Sequence, residues 1–129
     1  MLRRNNNEKA FAMTSFAAPA AQLLGRLLLA LIFLSAGWGK VGAPDGTIAY
    51  ITAHGIPLPR LAYYAALVVE LGGGMAILLG FQTRLAALLL ATFCVVTGVI
   101  FHFQPGDAGQ MTNYLKNLAM AGGFLQLWD

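Results

Sequence analysis

Seven side chains in this sequence can do chemistry in surroundings that normally exclude it, because each sits in or at the edge of an apolar run. Glu70 lies near the middle of LAYYAALVVELGGGMAILLGF, with apolar residues on both sides. Arg26 falls a turn and a half into the run Ala20–Val41, and Lys40 closes that run. Arg84 opens RLAALLLATFCVVTGVIFHF and His102 stands near its end, while Lys116 and Asn117 stand at the start of a fourth run, YLKNLAMAGGFLQLW. A carboxyl alone in such a medium would keep its proton, whereas a neighbouring cation would hold it charged. The set can therefore form a structural ion pair that fixes helix order. It can equally form a site that binds an anion or a quinone-like head group, or that passes a proton.

Other chemistries lack their residues. The one cysteine, Cys94, excludes an intramolecular disulfide, a CxxC redox pair and a cysteine-rich metal centre, and reads as a small buried apolar residue. His54 and His102 lie in different segments with no carboxylate cluster beside them, too few for a metal site. There is no serine-histidine-acid arrangement and no phosphate-cradling loop. The glycines of Gly72-Gly73-Gly74 fall inside an apolar run, where close helix packing accounts for them. No catalytic residue, metal or intrinsic cofactor is assigned; a bound quinone or an anion is the ligand expected.

What must position the seven is set by composition. Of 129 residues, 58% are hydrophobic and 10% charged, with a mean hydropathy of +0.68. A soluble domain carries about 25% charged residues, so lipid is the expected partner for most of this surface. The net charge of +3 does not indicate nucleic acid. Arg3, Arg4 and Lys9 sit in a polar N-terminal stretch and the other basic residues are scattered at helix ends, as beside membrane helices.

Spans are expected over about 20–41, 61–81, 84–103 and 114–128, the fourth short and polar at its start. About 20 apolar residues cross a hydrocarbon core roughly 30 Å thick. Residues 1–19 read as a mobile cytoplasmic tail, their long polar lead-in and the run's continuation to Val41 disfavouring a signal peptide. Gln82 and Thr83 link the second and third spans so tightly that they must be antiparallel neighbours. The APDG and GIPLP stretches of the first loop read as helix-breaking. With both ends in the cytoplasm, Arg3, Arg4, Lys9, Arg26 and Arg84 lie inside and Lys40, Arg60 and Lys116 outside, the bias the positive-inside rule expects. The expected fold is thus an all-α membrane bundle of four antiparallel up-down helices. GRLLLALIF at Gly25 and TRLAALLLATF at Thr83, with a glycine cluster in each even span, fit two hairpins related by a pseudo-repeat.

At about 100° per residue, Arg26, Phe33, Gly37 and Lys40 share one stripe of the first span. Tyr63, Ala66, Glu70, Gly74 and Ile77 share one of the second, and Arg84, Ala91, Val95, Gly98 and His102 one of the third. Charges and small residues on one stripe mark the faces expected to point inward.

GRLLLALIFLSAGWGK, HGIPLP, VVELGGGMAILLGFQTR, the histidine at the end of span three and LKNLAMAGG, in that order over about Leu23 to Trp128, resemble the DoxX family. The resemblance implies a four-helix bacterial inner-membrane protein whose characteristic polar positions are Arg26, Lys40, Glu70, Arg84, His102, Lys116 and Asn117. It also implies an accessory membrane subunit of a redox system, linked to quinones or to sulfur and thiol chemistry. Electrons would then need a protein partner or a bound quinone. The alternative is a non-enzymatic scaffold, assembly or chaperone-like protein whose buried charges are structural. A small-solute or proton carrier would require a homo-oligomer, since four short spans leave little room for a pathway.

Overall fold

The computed structural model describes residues 5–128, and within them the chain is helical with short links. Helix α1, Asn6–Val41, begins where the Asn5 side chain accepts a hydrogen bond from the backbone N–H of Asn7. It continues through Pro19, so the stretch expected as a tail is helical from Asn6 onward. At 1.5 Å per residue its 36 residues span about 54 Å, well beyond the hydrocarbon thickness. The tail's first residues, with Arg3 and Arg4, lie outside the described residues.

The first loop departs from expectation: Pro44–Ala53 is a helix, α2. Proline is tolerated in a first turn, where its missing N–H has no partner to lose, and Gly46 alone costs only about 1 kcal/mol. Thr47, Tyr50, Ile51 and His54 recur at i, i+3, i+4 and i+7, which gives α2 one face to lay on the bundle. The real break is Gly55–Leu58, where Gly55 (φ +73°) and Leu58 (φ 53°) take left-handed backbone before Pro59.

Helices α3, Pro59–Leu79, and α4, Thr83–His102, are long and apolar enough to cross a membrane, as is α1. Each contains a π turn, Val68–Gly72 in α3 and Gly98–His102 in α4. Between them Gly80 (φ 71°) and Gln82 (φ 46°) reverse the chain sharply, making the two helices antiparallel neighbours. Helix α5, Ala108–Leu125, starts more than a turn before the expected Tyr114, because the Asp107 carboxylate accepts from the Gln110 N–H at 3.1 Å and caps it. Its 18 residues reach about 27 Å and a 3₁₀ turn, Gln126–Trp128, ends the chain's described part.

The helices pack in sequence, α1 on α3, α3 on α4, α4 on α5, and α5 back on α1. This is the helical membrane bundle the composition dictates. Phe33 packs edge-on against Phe124, their ring centres 5.3 Å apart, within a core that includes Ala30, Ile77, Ala87 and Leu90. Outward-facing Leu31, Val68, Leu79 and Leu85 are more than half exposed, which suits lipid rather than water. Small residues bring the helices together: a Cβ on Gly74 would lie 3.1 Å from the Leu34 side chain and 3.4 Å from its backbone nitrogen. The α3 stripe faces inward, with Tyr63, Glu70, Gly74 and Ile77 buried. Gly74→Ile should therefore push α1 off α3 and lower stability by about 1–3 kcal/mol, read as an earlier thermal unfolding midpoint in detergent; an unchanged midpoint would contradict this packing.

Candidate functional site

Glu70 sits in the π turn of α3 with its side chain only 4% exposed. Lys40, in the last turn of α1, reaches back so that its ammonium donates to Glu70 Oε1 at 2.9 Å. The same residue is held a second time, because Tyr63 on α3 donates its hydroxyl to the Lys40 carbonyl at 2.7 Å. Gly37, one turn back on α1, permits the approach: a Cβ there would lie 2.7 Å from Leu71 and 3.3 Å from Glu70 Cβ. Glu70's other oxygen, Oε2, is buried and has no hydrogen-bond partner.

Glu70 lines a partly open cavity of about 530 Å³ bounded by α1, α3, α4 and α5, with α2 along one side. Phe33, Phe93 and Cys94, shared with the core, line its deeper side, and Ile32, Ala66, Val69, Ile100 and Met120 make most of the rest apolar. The polar groups are few. Asn117 donates through Nδ2 to the Cys94 carbonyl at 3.1 Å and to Thr97 Oγ1 at 3.3 Å, while Thr97 donates to the Phe93 carbonyl at 2.7 Å. Gly98 makes room for this, since a Cβ on it would lie 3.2 Å from Asn117 Cβ. His102 Nδ1 lies 2.8 Å from Gln110 Oε1, and His102 lines the cavity as well.

The phase of α4 differs from expectation, and its π turn explains how His102 still arrives. The inward residues are Ala87, Leu90, Ala91, Cys94 and Gly98, whereas Arg84 and Val95 are exposed. The expected stripe took its phase from Arg84, which lies at the helix start and turns outward. In an unbroken helix His102 would share that outward line. A π turn takes up one extra residue and sets the phase back by roughly 100°, into the direction of Leu90 and Cys94.

Of the seven expected residues, four line one cavity: Lys40, Glu70, His102 and Asn117. Arg26 lies toward the opposite end of α1, its guanidinium about 3.4 Å from where a Gly80 Cβ would stand. Arg84 is exposed at the start of α4, and Lys116, beside Asn117 in sequence, turns outward. The cover was not foreseen. Tyr50 of α2 stacks on Phe101 with ring centres 5.2 Å apart, and His54 meets the same ring edge-on at 4.8 Å. The i, i+3, i+4, i+7 spacing of Thr47, Tyr50, Ile51 and His54 was the available signal. Among the described residues no group of three His, Cys, Asp or Glu could hold a metal ion. Chemically, the site offers a carboxylate and ammonium pair in a mostly apolar chamber whose other polar side chains are Thr47, Tyr50, Thr97, His102 and Asn117.

The DoxX family model matches residues 21–103. The chain is 40% identical over 108 residues to inner membrane protein YqjF of Escherichia coli (strain K12), a match covering 81% of this chain and 79% of that protein. It is 39% identical over 116 residues to inner membrane protein YphA of the same organism, covering 86% and 83%. No solved structure matches. The chain belongs to the DoxX family.

Removing one partner of the ion pair leaves the other charge stranded. Lys40→Met should lower stability by about 3 kcal/mol, and adding Glu70→Gln to it should recover most of that loss. Unfolding of the two single variants, the double variant and the parent in one detergent measures this, and simple additivity of the two losses would show that the pair is not coupled.

Proposed function

We propose that this DoxX-family protein lies in the bacterial inner membrane with both ends in the cytoplasm. There it serves as an accessory membrane subunit of a redox system, holding the head group of a quinone-type carrier beside Glu70. The observation that carries the proposal is a largely apolar chamber of about 530 Å³ lined by the Lys40–Glu70 pair, whose Glu70 Oε2 is buried with no hydrogen-bond partner. A buried polar atom without a partner costs about 1–3 kcal/mol, which a bound ligand can offset. The chamber is of the size typical of small-molecule sites, apolar with a few convergent polar groups. A small sulfur oxyanion suits it less well, because a carboxylate in the wall repels anions and apolar walls replace none of the ion's hydration. The three long apolar helices and the names of the two relatives support the inner membrane, and the Lys and Arg distribution supports the orientation. Lone Cys94 cannot cycle as a dithiol, so electrons would pass between the carrier and a protein partner.

A second reading has its own observation. The Lys40–Glu70 pair joins α1 to α3 and would serve a scaffold or assembly protein equally well. On that reading Glu70→Gln reduces function only in proportion to abundance.

Mass spectrometry of small molecules that co-purify in mild detergent separates the two. The parent should carry a quinone, and Ala66→Phe, which fills the chamber, should have lost it at equal yield. Bulk lipid alone in both would count against the quinone reading and leave the pair as architecture. The orientation is tested by fusing green fluorescent protein to the C-terminus, which should fluoresce; a dark fusion whose alkaline phosphatase counterpart is active would reverse it.

A further inference from the structure

We propose that the chamber opens sideways into lipid, through the seam between α3 and α4, and that this seam holds the apolar chain of the ligand whose head group lies inside. The proposal rests on the quinone reading above and adds what else the ligand must carry. That is one flexible apolar chain, by which it arrives from the bilayer and not from water.

Two residues mark the seam because they line the chamber and are nevertheless exposed: Ala65 of α3 and Val96 of α4. Their directions follow from neighbours two positions away, since side chains two residues apart on a helix point roughly 160° apart. Tyr63 points to α1, where its hydroxyl reaches the Lys40 carbonyl, so Ala65 turns its back on α1. Gly98 faces α5, where a Cβ on it would lie 3.2 Å from Asn117 Cβ, so Val96 turns its back on α5. The gap that both flank is the one between α3 and α4.

These two helices are held together at the far end of the chamber, where a Cβ on Gly73 would lie 3.1 Å from the Leu90 side chain. α3 packs on α4 along residues 68–79, whereas its first part, Pro59–Leu67, packs on α1 and α2. Alanines keep the gap open: Ala62, Ala65 and Ala66 all line the chamber, and none carries an atom beyond Cβ. On the α1 and α5 walls, by contrast, Ile32 and Met120 bring long side chains into the space.

The two parts of the site suit the two parts of such a molecule. The Lys40–Glu70 pair faces a head group, and the alanines with Val96 offer a chain nothing polar to displace. Water gains no side-chain hydrogen bond in the seam, whereas a hydrocarbon chain slides into it from lipid without meeting water. From Ala62 to Val69 is seven residues, about 10 Å along the axis, so the seam holds the start of a chain and leaves the remainder among the lipids.

The test is photolabelling of the full chain in lipid nanodiscs with decylubiquinone that carries a diazirine on its chain close to the ring, followed by peptide mapping. Labels displaced by excess unmodified decylubiquinone should fall on residues 62–69 of α3 and 93–100 of α4. Ala65→Trp, which plugs the seam on its lipid side, should lower displaceable labelling at least about tenfold at equal yield, and Ile32→Trp should leave it within about twofold. Should Ala65→Trp fail to fold, the labelling map of the parent alone decides. Displaceable labels on α1 and α5 instead, or Ala65→Trp labelled as strongly as the parent, overturn the seam while leaving the chamber a ring site. No displaceable label anywhere overturns the seam and the quinone reading together.

Discussion

A charge cannot be left alone in hydrocarbon. Placing Asp, Lys or Arg at the centre of a span costs about 2.5–3.5 kcal/mol even on the mild insertion scale, and a carboxylate with its counter-charge escapes much of that. At Glu70 the constraint is met by one bond, Lys40 Nζ to Glu70 Oε1. Much of the surrounding structure follows. Lys40 must stand at the end of α1, close enough to water for its insertion and long enough in the side chain to reach inward. Gly37 must lack a side chain so that α1 can approach the turn carrying Glu70. The Tyr63 hydroxyl finds its acceptor in the Lys40 carbonyl, and so the same two helices are tied through backbone as well as charge.

The bundle is divided along its axis by that choice. Toward the turn between α3 and α4 the helices meet through Ala30, Ile77, Ala86, Ala87 and Phe124 and leave little space. Toward the α2 side the chamber lies between the helices beside the ion pair. Phe33 and Phe93, edge-on at 6.2 Å, stand at the junction of the two halves.

Glu70 and the α3 stripe were legible in the sequence because Glu70 is the one charged residue inside that helix's apolar run and the small and aromatic residues recur in phase with it. Lys40, His102 and Asn117 were legible as polar residues at span ends, yet sequence could not sort them from Arg26, Arg84 and Lys116. All six are polar groups near an interface, and long cationic side chains can turn toward water or inward at similar cost. Their partners decide, and partners come from other helices. The cover α2 was hidden behind Pro44 and Gly46, which resemble a break when counted as residue types but fit a helix start when counted by position. The early part of α5 was hidden by its polarity, for hydropathy finds apolar residues and has no means of seeing that Asp107 caps a helix before them.

The two π turns make the chamber's chemistry depend on chain length as well as on residue identity. Each holds one residue more than a regular helical turn, and the surplus is what aims the groups beyond it. Loss of a single codon between Gly98 and Phe101 would regularise α4 with His102 still facing inward, whereas closing the π turn into a regular helix with every residue kept would swing His102 toward lipid. Gain of a codon elsewhere in α3 would re-aim Glu70 in the same manner. Two members of this lineage could thus carry the same polar residues and present different ones to the chamber, and insertions and deletions inside these helices, normally disregarded as damage, would be a route by which its selectivity evolves.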